Sequence, residues 1–182
     1  PGQKLSSAMN KALIIHSADD MISGAAGPDY RFGWGLMNTR KGAEIMSMNN
    51  TLGQGVRMME SSLFPNDTIV LDLIATDEGI IRATLVWTDV PGEIQSPALN
   101  PGNLSLVNDL DMRLTDVVNT TYLPYILNPS SPASPATTGD NFRDNVEMIH
   151  VESVPSGEVY SLKIHHKGSL LTDQKIALII SG

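Results

Sequence analysis

Between Leu5 and Ser17 the positions Leu5, Ala8, Met9, Ala12, Leu13 and His16 recur at steps of three and four residues. That is the period of a helix with one buried face, and the segment is rich in strong helix formers. The pattern therefore predicts an amphipathic helix over about Ser6 to Ser17. A Gly, Pro and Asp stretch from Gly24 to Asp29 breaks it. After Gly33-Trp34-Gly35, Asn38 is placed to cap a second helix of about ten residues carrying Ala43, Ile45 and Met46. Two helices of this size cannot enclose a core alone.

Beyond residue 50 the period becomes two, in segments dense in Val, Ile, Leu and Thr and bounded by Gly, Pro, Asn and Asp. Strands are predicted near Gly55 to Ser61, Thr68 to Ala75, Ile80 to Thr88, Leu110 to Asp116, Asn145 to Val154, Glu158 to Lys167 and Gln174 to Ser181. Short strands in series without helices between them predict a mainly β fold, an antiparallel β-sandwich of jelly-roll-like type. Val90 to Leu106 and Asn128 to Gly139, filled with Pro, Ser, Asn and Gly, are expected to be surface loops. Residues 1–50 thus form a helical segment and 51–182 a sandwich domain.

Composition narrows the function. The net charge is -8 with only 12 Lys and Arg among 182 residues, and no basic cluster offers itself to phosphates, so nucleic acid is not an expected partner. The longest apolar runs, Ala12 to Ile15 and Ile176 to Ile180, fall far short of the roughly 20 residues of a membrane span. There is no cysteine, which removes disulfides, thiolate metal sites and Cys nucleophiles. Asn49, Asn66, Asn103 and Asn119 each open an Asn-x-Ser/Thr triplet, a pattern too short to distinguish from chance. The chain opens on Pro1 with no basic-then-apolar leader, which reads as a processed or excised piece.

Two stretches, Lys11-Ala-Leu-Ile-Ile-His-Ser-Ala-Asp-Asp20 and Gly27-Pro-Asp-Tyr-Arg-Phe-Gly-Trp-Gly-Leu-Met-Asn38, resemble the last helical segments of the catalytic domain of subtilisin-like serine proteases. Three more resemble the β-sandwich that follows that domain in one branch of bacterial subtilases. They are Leu85-Val-Trp-Thr-Asp-Val-Pro-Gly92, Leu106-Val-Asn-Asp-Leu-Asp-Met-Arg-Leu114 and Arg143-Asp-Asn-Val-Glu147. The resemblance implies the C-terminal portion of a secreted endopeptidase, periplasmic or at the cell surface, with its signal peptide upstream. The parent would hydrolyse polypeptides by Ser-His-Asp acyl transfer, and residues 1–50 would be the helical remnant of its α/β catalytic domain. The partner of this piece is then the upstream catalytic domain of the same polypeptide.

The family's nucleophilic Ser lies in a Gly-Thr-Ser turn upstream of Pro1, with the Asp and His further upstream. This chain has neither that turn nor a Gly-x-Ser-x-Gly elbow, and His16 and Ser17, adjacent on a helix, do not face each other. No catalytic residue is therefore assigned, and the piece is expected to brace the catalytic domain or to help hold substrate. The alternative is a free-standing exported module that binds polysaccharide or a surface protein.

The densest polar constellation is acidic. Asn108, Asp109 and Asp111 lie in one motif, and Asp140, Asp144, Asn145 and Glu147 in another. Carboxylates two apart on a strand project from one face, so Asp109, Asp111, Asp140, Asp144 and Glu147 form a candidate calcium site. The resemblance points the same way, because subtilases and their appended sandwiches commonly hold structural calcium. The competing expectation is that Asp109 and Asp111 pair with Arg113 or Arg143 on a solvated face while Leu110, Met112 and Leu114 fill the core. His150, His165 and His166 sit in predicted strands, the last two on opposite faces, and offer no zinc spacing. Trp87 is expected in the core, and Trp34 beneath the junction of helices and sandwich.

Overall fold

Two four-stranded antiparallel sheets face each other in the computed structural model, which describes residues 4–21, 26–49, 55–76, 79–99 and 102–182. The helices are α1 (Ser7–Ser17) and α2 (Thr39–Met48). The strands are β1 (Val56–Leu63), β2 (Ile69–Ile74), β3 (Gly79–Trp87), β4 (Leu110–Asp116), β5 (Thr121–Tyr122), β6 (Tyr125–Ile126), β7 (Thr137–Thr138), β8 (Val146–Val154), β9 (Val159–His166) and β10 (Gln174–Ser181). The first sheet runs β1-β10-β3-β8 and the second β2-β9-β4-β5, while β6 and β7 form a small ribbon. All the ladders are antiparallel.

Alternation along the strands builds the core. Leu85 and Trp87 of β3, Ile149 and Val151 of β8, and Ile176, Leu178 and Ile180 of β10 point inward from the first sheet. They meet Leu110, Met112 and Leu114 of β4 and Tyr160, Leu162 and Ile164 of β9. The first sheet is also covered outside, where Val86, Val146, Met148, Ala177 and Ile179 pack against Met9, Ala12 and Ile15 of α1. Covering on both faces explains why β10 reads as an unbroken apolar run from Ile176 to Ile180 instead of alternating.

The helix caps follow the sequence. Ser6 Oγ accepts from Met9 N at 3.1 Å, and Asn38 Oδ1 accepts from Lys41 N at 2.9 Å. The buried face of α1 is Met9, Ala12, Ile15, His16 and Ser17, turned from the expected Leu5-to-Leu13 stripe toward Ile15. The turn arises because α1 lies on β3 and β10 while also touching α2. Leu13 is drawn toward α2, where it lies beside Gly42. Gly33 and Gly35 hold positive φ of 59° and 105°. At Gly35 a Cβ would lie 2.2 Å from the Asp19 carbonyl oxygen, so the close bridge between Asp19 and Leu36 requires glycine there.

His16 fastens the helix to the sheet. Its Nδ1 is 2.9 Å from Thr84 Oγ1 of β3 and its Nε2 is 2.9 Å from Ser181 Oγ of β10. Arg82 Nη1 donates to the His16 carbonyl at 2.9 Å. Burial, then the nearby Arg82 guanidinium and then His150, push the imidazole down to about 3 from its ordinary 6.5. In the unfolded chain His16 takes a proton near pH 6.5, so this contribution is full above that pH and is lost as pH falls toward 3. The slope is at most about 1.4 kcal/mol per pH unit. His16→Gln is expected to make the acid limb of a stability-versus-pH curve shallower, and an unchanged limb would show that His16 does not set it.

Candidate functional site

On β4 the core residues Leu110, Met112 and Leu114 alternate with Asp111 and Arg113, which therefore project from the opposite face of the second sheet. Register places Asp111 beside His165 and Arg113 beside Lys163 of β9. Lys167 extends that ladder, its N–H donating to the Asp109 carbonyl at 2.8 Å. Arg113, His165 and Lys167 are thereby gathered around Asp109 and Asp111, and Asp140 arrives from the loop that follows β7.

The contacts are ionic. Arg113 Nη2 lies 2.6 Å from Asp111 Oδ1 and 3.6 Å from Asp140 Oδ1. Lys167 Nζ lies 3.4 Å from Asp109 Oδ2 and 3.5 Å from Asp111 Oδ1, and it hydrogen-bonds Asp140 Oδ1 closely. His165 Nδ1 is 3.5 Å from Asp111 Oδ2. Asp111 is buried at 1% exposure, Asp109, Arg113 and Lys167 are partly exposed and Asp140 is half exposed, so the network runs from a buried acid out to the surface.

The titration directions reflect that burial. Burial raises the carboxyls of Asp109 and Asp111, against the pull of Lys167 on the first and of Arg113 and Lys167 on the second. The hydrogen bond from Lys167 outweighs burial at Asp140 and lowers it. Burial alone would lower the Lys167 ammonium, but Asp140, Asp109 and Asp111 together carry it upward.

Glu147 reaches the same strand from the other sheet. It shares the inward face of β8 with Ile149 and Val151, is fully buried, and its Oε2 accepts from Met112 N at 2.6 Å. That N–H is available because β5 pairs only with Leu114 and Thr115, which leaves this edge of β4 open. Oε1 has no hydrogen-bond partner among the described residues. Burial, followed by repulsion from Asp111, pushes Glu147 up to about 9, so it is protonated at neutral pH.

Asp144 does not join the cluster. Asn141 Oδ1 accepts from the backbone of Arg143 at 3.2 Å and of Asp144 at 3.3 Å, a turn that sends Asp144 to the exposed surface, where its charge acts on Lys11 of α1. Arg143 stacks its guanidinium 5.5 Å from the Phe142 ring and donates to Gly102 O, away from the acids. Asn145 donates to the Trp87 carbonyl at 2.7 Å, and Asn108 donates to Gln174 Oε1 at 2.7 Å. His166 Nε2 accepts from Asn66 N at 2.9 Å, and His150 lies beside Arg82 on the first sheet.

Of the candidate calcium set, Asp109, Asp111 and Asp140 come together, while Asp144 stands apart and Glu147 lies on the core side. Calcium takes six to eight oxygens at about 2.3–2.6 Å, whereas here Arg113 and Lys167 supply the positive charge at the point where the carboxylates meet. Among the described residues no group of three or more His, Asp or Glu side chains is arranged to hold a metal ion. Lys167 is the participant that sequence reasoning missed. The available signal was its place at the end of a strand that can pair with Asp109.

Among the described residues, the nearest approach to a catalytic pair is His16 Nε2 at 2.9 Å from Ser181 Oγ. The other ring nitrogen meets the Thr84 hydroxyl where a triad has a carboxylate, and an imidazole held near pKa 3 is too weak a base to activate a serine at neutral pH. Ser17 Oγ donates to the Leu13 carbonyl at 2.7 Å, so it is turned back along its own helix. No family model matches the chain, and no curated protein matches it.

Proposed function

We propose that this chain is the C-terminal portion of a secreted subtilisin-like serine endopeptidase, in which residues 1–50 close the catalytic domain and a jelly-roll-like sandwich braces it. The reading rests on the sequence motifs quoted above. The observation that carries it is the two-sided character of the helical segment. One side of α1 is built into the sandwich through Met9, Ala12, Ile15 and the His16 bonds, and in this reading α1 is the joint between the sandwich and an upstream domain. The same segment leaves Ile14, Tyr30, Phe32, Leu36 and Met37 about half exposed, a concentration of apolar surface suited to burial against an upstream domain. The order in which strands alternate between sheets, β1-β10-β3-β8 against β2-β9-β4-β5, supports the jelly-roll assignment.

In this reading the chain's own chemistry is structural. Peptide hydrolysis belongs to a nucleophile, base and oxyanion hole upstream, and residues 1–182 alone should not cleave casein. The test is the coding sequence before Pro1. A Gly-Thr-Ser-x-x-x-Pro block shortly upstream is expected, and a signal peptide directly adjoining Pro1 would defeat the proposal.

A further inference from the structure

On the outer face of the first sheet, register sets Arg82 of β3 beside His150 of β8. α1 ends at Ser17 alongside them, and the His16 carbonyl accepts from Arg82 Nη1 at 2.9 Å. Both residues line a cavity of about 410 Å³ that Trp34 and Tyr125 of β6 also line, within the range of about 300–1,000 Å³ usual for small-molecule sites. The Gly27 backbone closes on the Tyr125 ring: its φ is 92°, and a Cβ there would lie 2.7 Å from the ring. Among the described residues Arg82 Nε and His150 Nε2 are buried and without a hydrogen-bond partner. Tyr125, Asp20 and Asp19 act on the guanidinium through their charge and not through a hydrogen bond. A part-buried cation with only Nη1 bonded among the described residues calls for an anion.

We propose that this cavity binds a zwitterionic α-amino acid with a large apolar side chain, its carboxylate on Arg82 and His150, its ammonium facing Asp20 and Glu152, and its side chain against Trp34 and Tyr125. The charges decide among ligands. Asp20 and Glu152 line the same cavity from its exposed side, and both act on His150 through their charge. Two acids beside one arginine repel a phosphate or a dicarboxylate, whereas a ligand carrying one charge of each sign satisfies the guanidinium and the acids together. Trp34 and Tyr125 present aromatic surface between those ends, which suits an apolar body in place of further polar groups. The inference goes beyond the protease reading and does not depend on it.

The experiment is calorimetric titration of the 182-residue protein at pH 7 with L-phenylalanine, with 3-phenylpropanoate, which lacks the ammonium, and with phenethylamine, which lacks the carboxylate. Phenylalanine is expected to bind at one saturable site, and each of the other two about tenfold more weakly or worse. Arg82→Gln should weaken phenylalanine by about tenfold or more and remove its advantage over phenethylamine. Glu152→Gln, on the exposed side, should weaken phenylalanine severalfold and leave 3-phenylpropanoate no weaker. Arg82 also anchors α1, so if Arg82→Gln does not fold the Glu152→Gln comparison decides: a fall in phenylalanine affinity relative to 3-phenylpropanoate supports the proposal, and an unchanged ratio overturns it. No saturable phenylalanine binding by the folded parent would also overturn it. So would phenethylamine or 3-phenylpropanoate binding as tightly as phenylalanine.

Discussion

Glu147→Gln is expected to raise stability at neutral and alkaline pH and to flatten the fall in stability between about pH 4.5 and 9. In the unfolded chain this carboxyl loses its proton near its ordinary 4.5, while in the folded protein burial holds the proton to about 9. Between those values the folded state binds more protons than the unfolded state. The contribution of Glu147 is therefore greatest below pH 4.5 and declines as pH rises, by up to about 1.4 kcal/mol per pH unit. Gln cannot ionise, and its amide oxygen can still accept from Met112 N, so the decline due to this residue disappears. Glu147→Ala separates charge from hydrogen bonding. It leaves the Met112 N–H buried without a partner and opens a cavity, which should cost about 2–4 kcal/mol even in acid. Denaturant melts of the three proteins from pH 4 to pH 9 would show both effects, and a Glu147→Gln curve parallel to the parent's would mean that Glu147 is ionised in the fold.

Trp87→Ala is expected to lower stability by about 3–5 kcal/mol. The indole is 1% exposed and sits in the inter-sheet core with Leu85, Leu110 and Ile176. It also donates from Nε1 to the Asn108 carbonyl at 3.0 Å, tying the first sheet to the turn that enters β4. Asp89 accepts from the backbone N–H groups of Val107 at 2.7 Å and Asn108 at 3.0 Å, so the indole and one carboxylate together fix the approach to Asp109 and Asp111. Trp87→Phe keeps most of the volume and loses only the hydrogen bond, for which about 1–2 kcal/mol is expected. The check is the urea midpoint at constant m-value. Equal losses for the two variants would mean that the hydrogen bond carries the cost and the ring volume little.

Among the described residues, periodicity located the strands longer than two residues and both helices, because each has a length over which a repeat can be read. β5, β6 and β7 are two residues each and have no period, so nothing in Thr121–Tyr122, Tyr125–Ile126 or Thr137–Thr138 marked them. The candidate site was legible in part. Alternation placed Asp109 and Asp111 opposite Leu110, Met112 and Leu114, and the structure keeps that division. Burial of Asp111 was not legible, since it depends on Asp140 and Lys167 arriving from distant segments. Nor was the separation of Asp140 from Asp144, which turns on the Asn141 side chain holding the two N–H groups that follow it. Glu147 carried a signal that could have been read: it occupies the same alternating register as Ile149 and Val151, which makes it a core-facing acid.

The most direct test of the proposed function is covalent labelling of the protein expressed with the coding sequence upstream of Pro1. A serine-directed fluorophosphonate probe, read by peptide mass spectrometry, reports which hydroxyl is an activated nucleophile. One labelled serine upstream of Pro1 is predicted, with none in residues 1–182 and with casein cleavage falling in proportion to labelling. Labelling confined to a serine within residues 1–182, Ser181 beside His16 above all, would contradict the account, as would an extended protein that neither takes the probe nor cleaves casein.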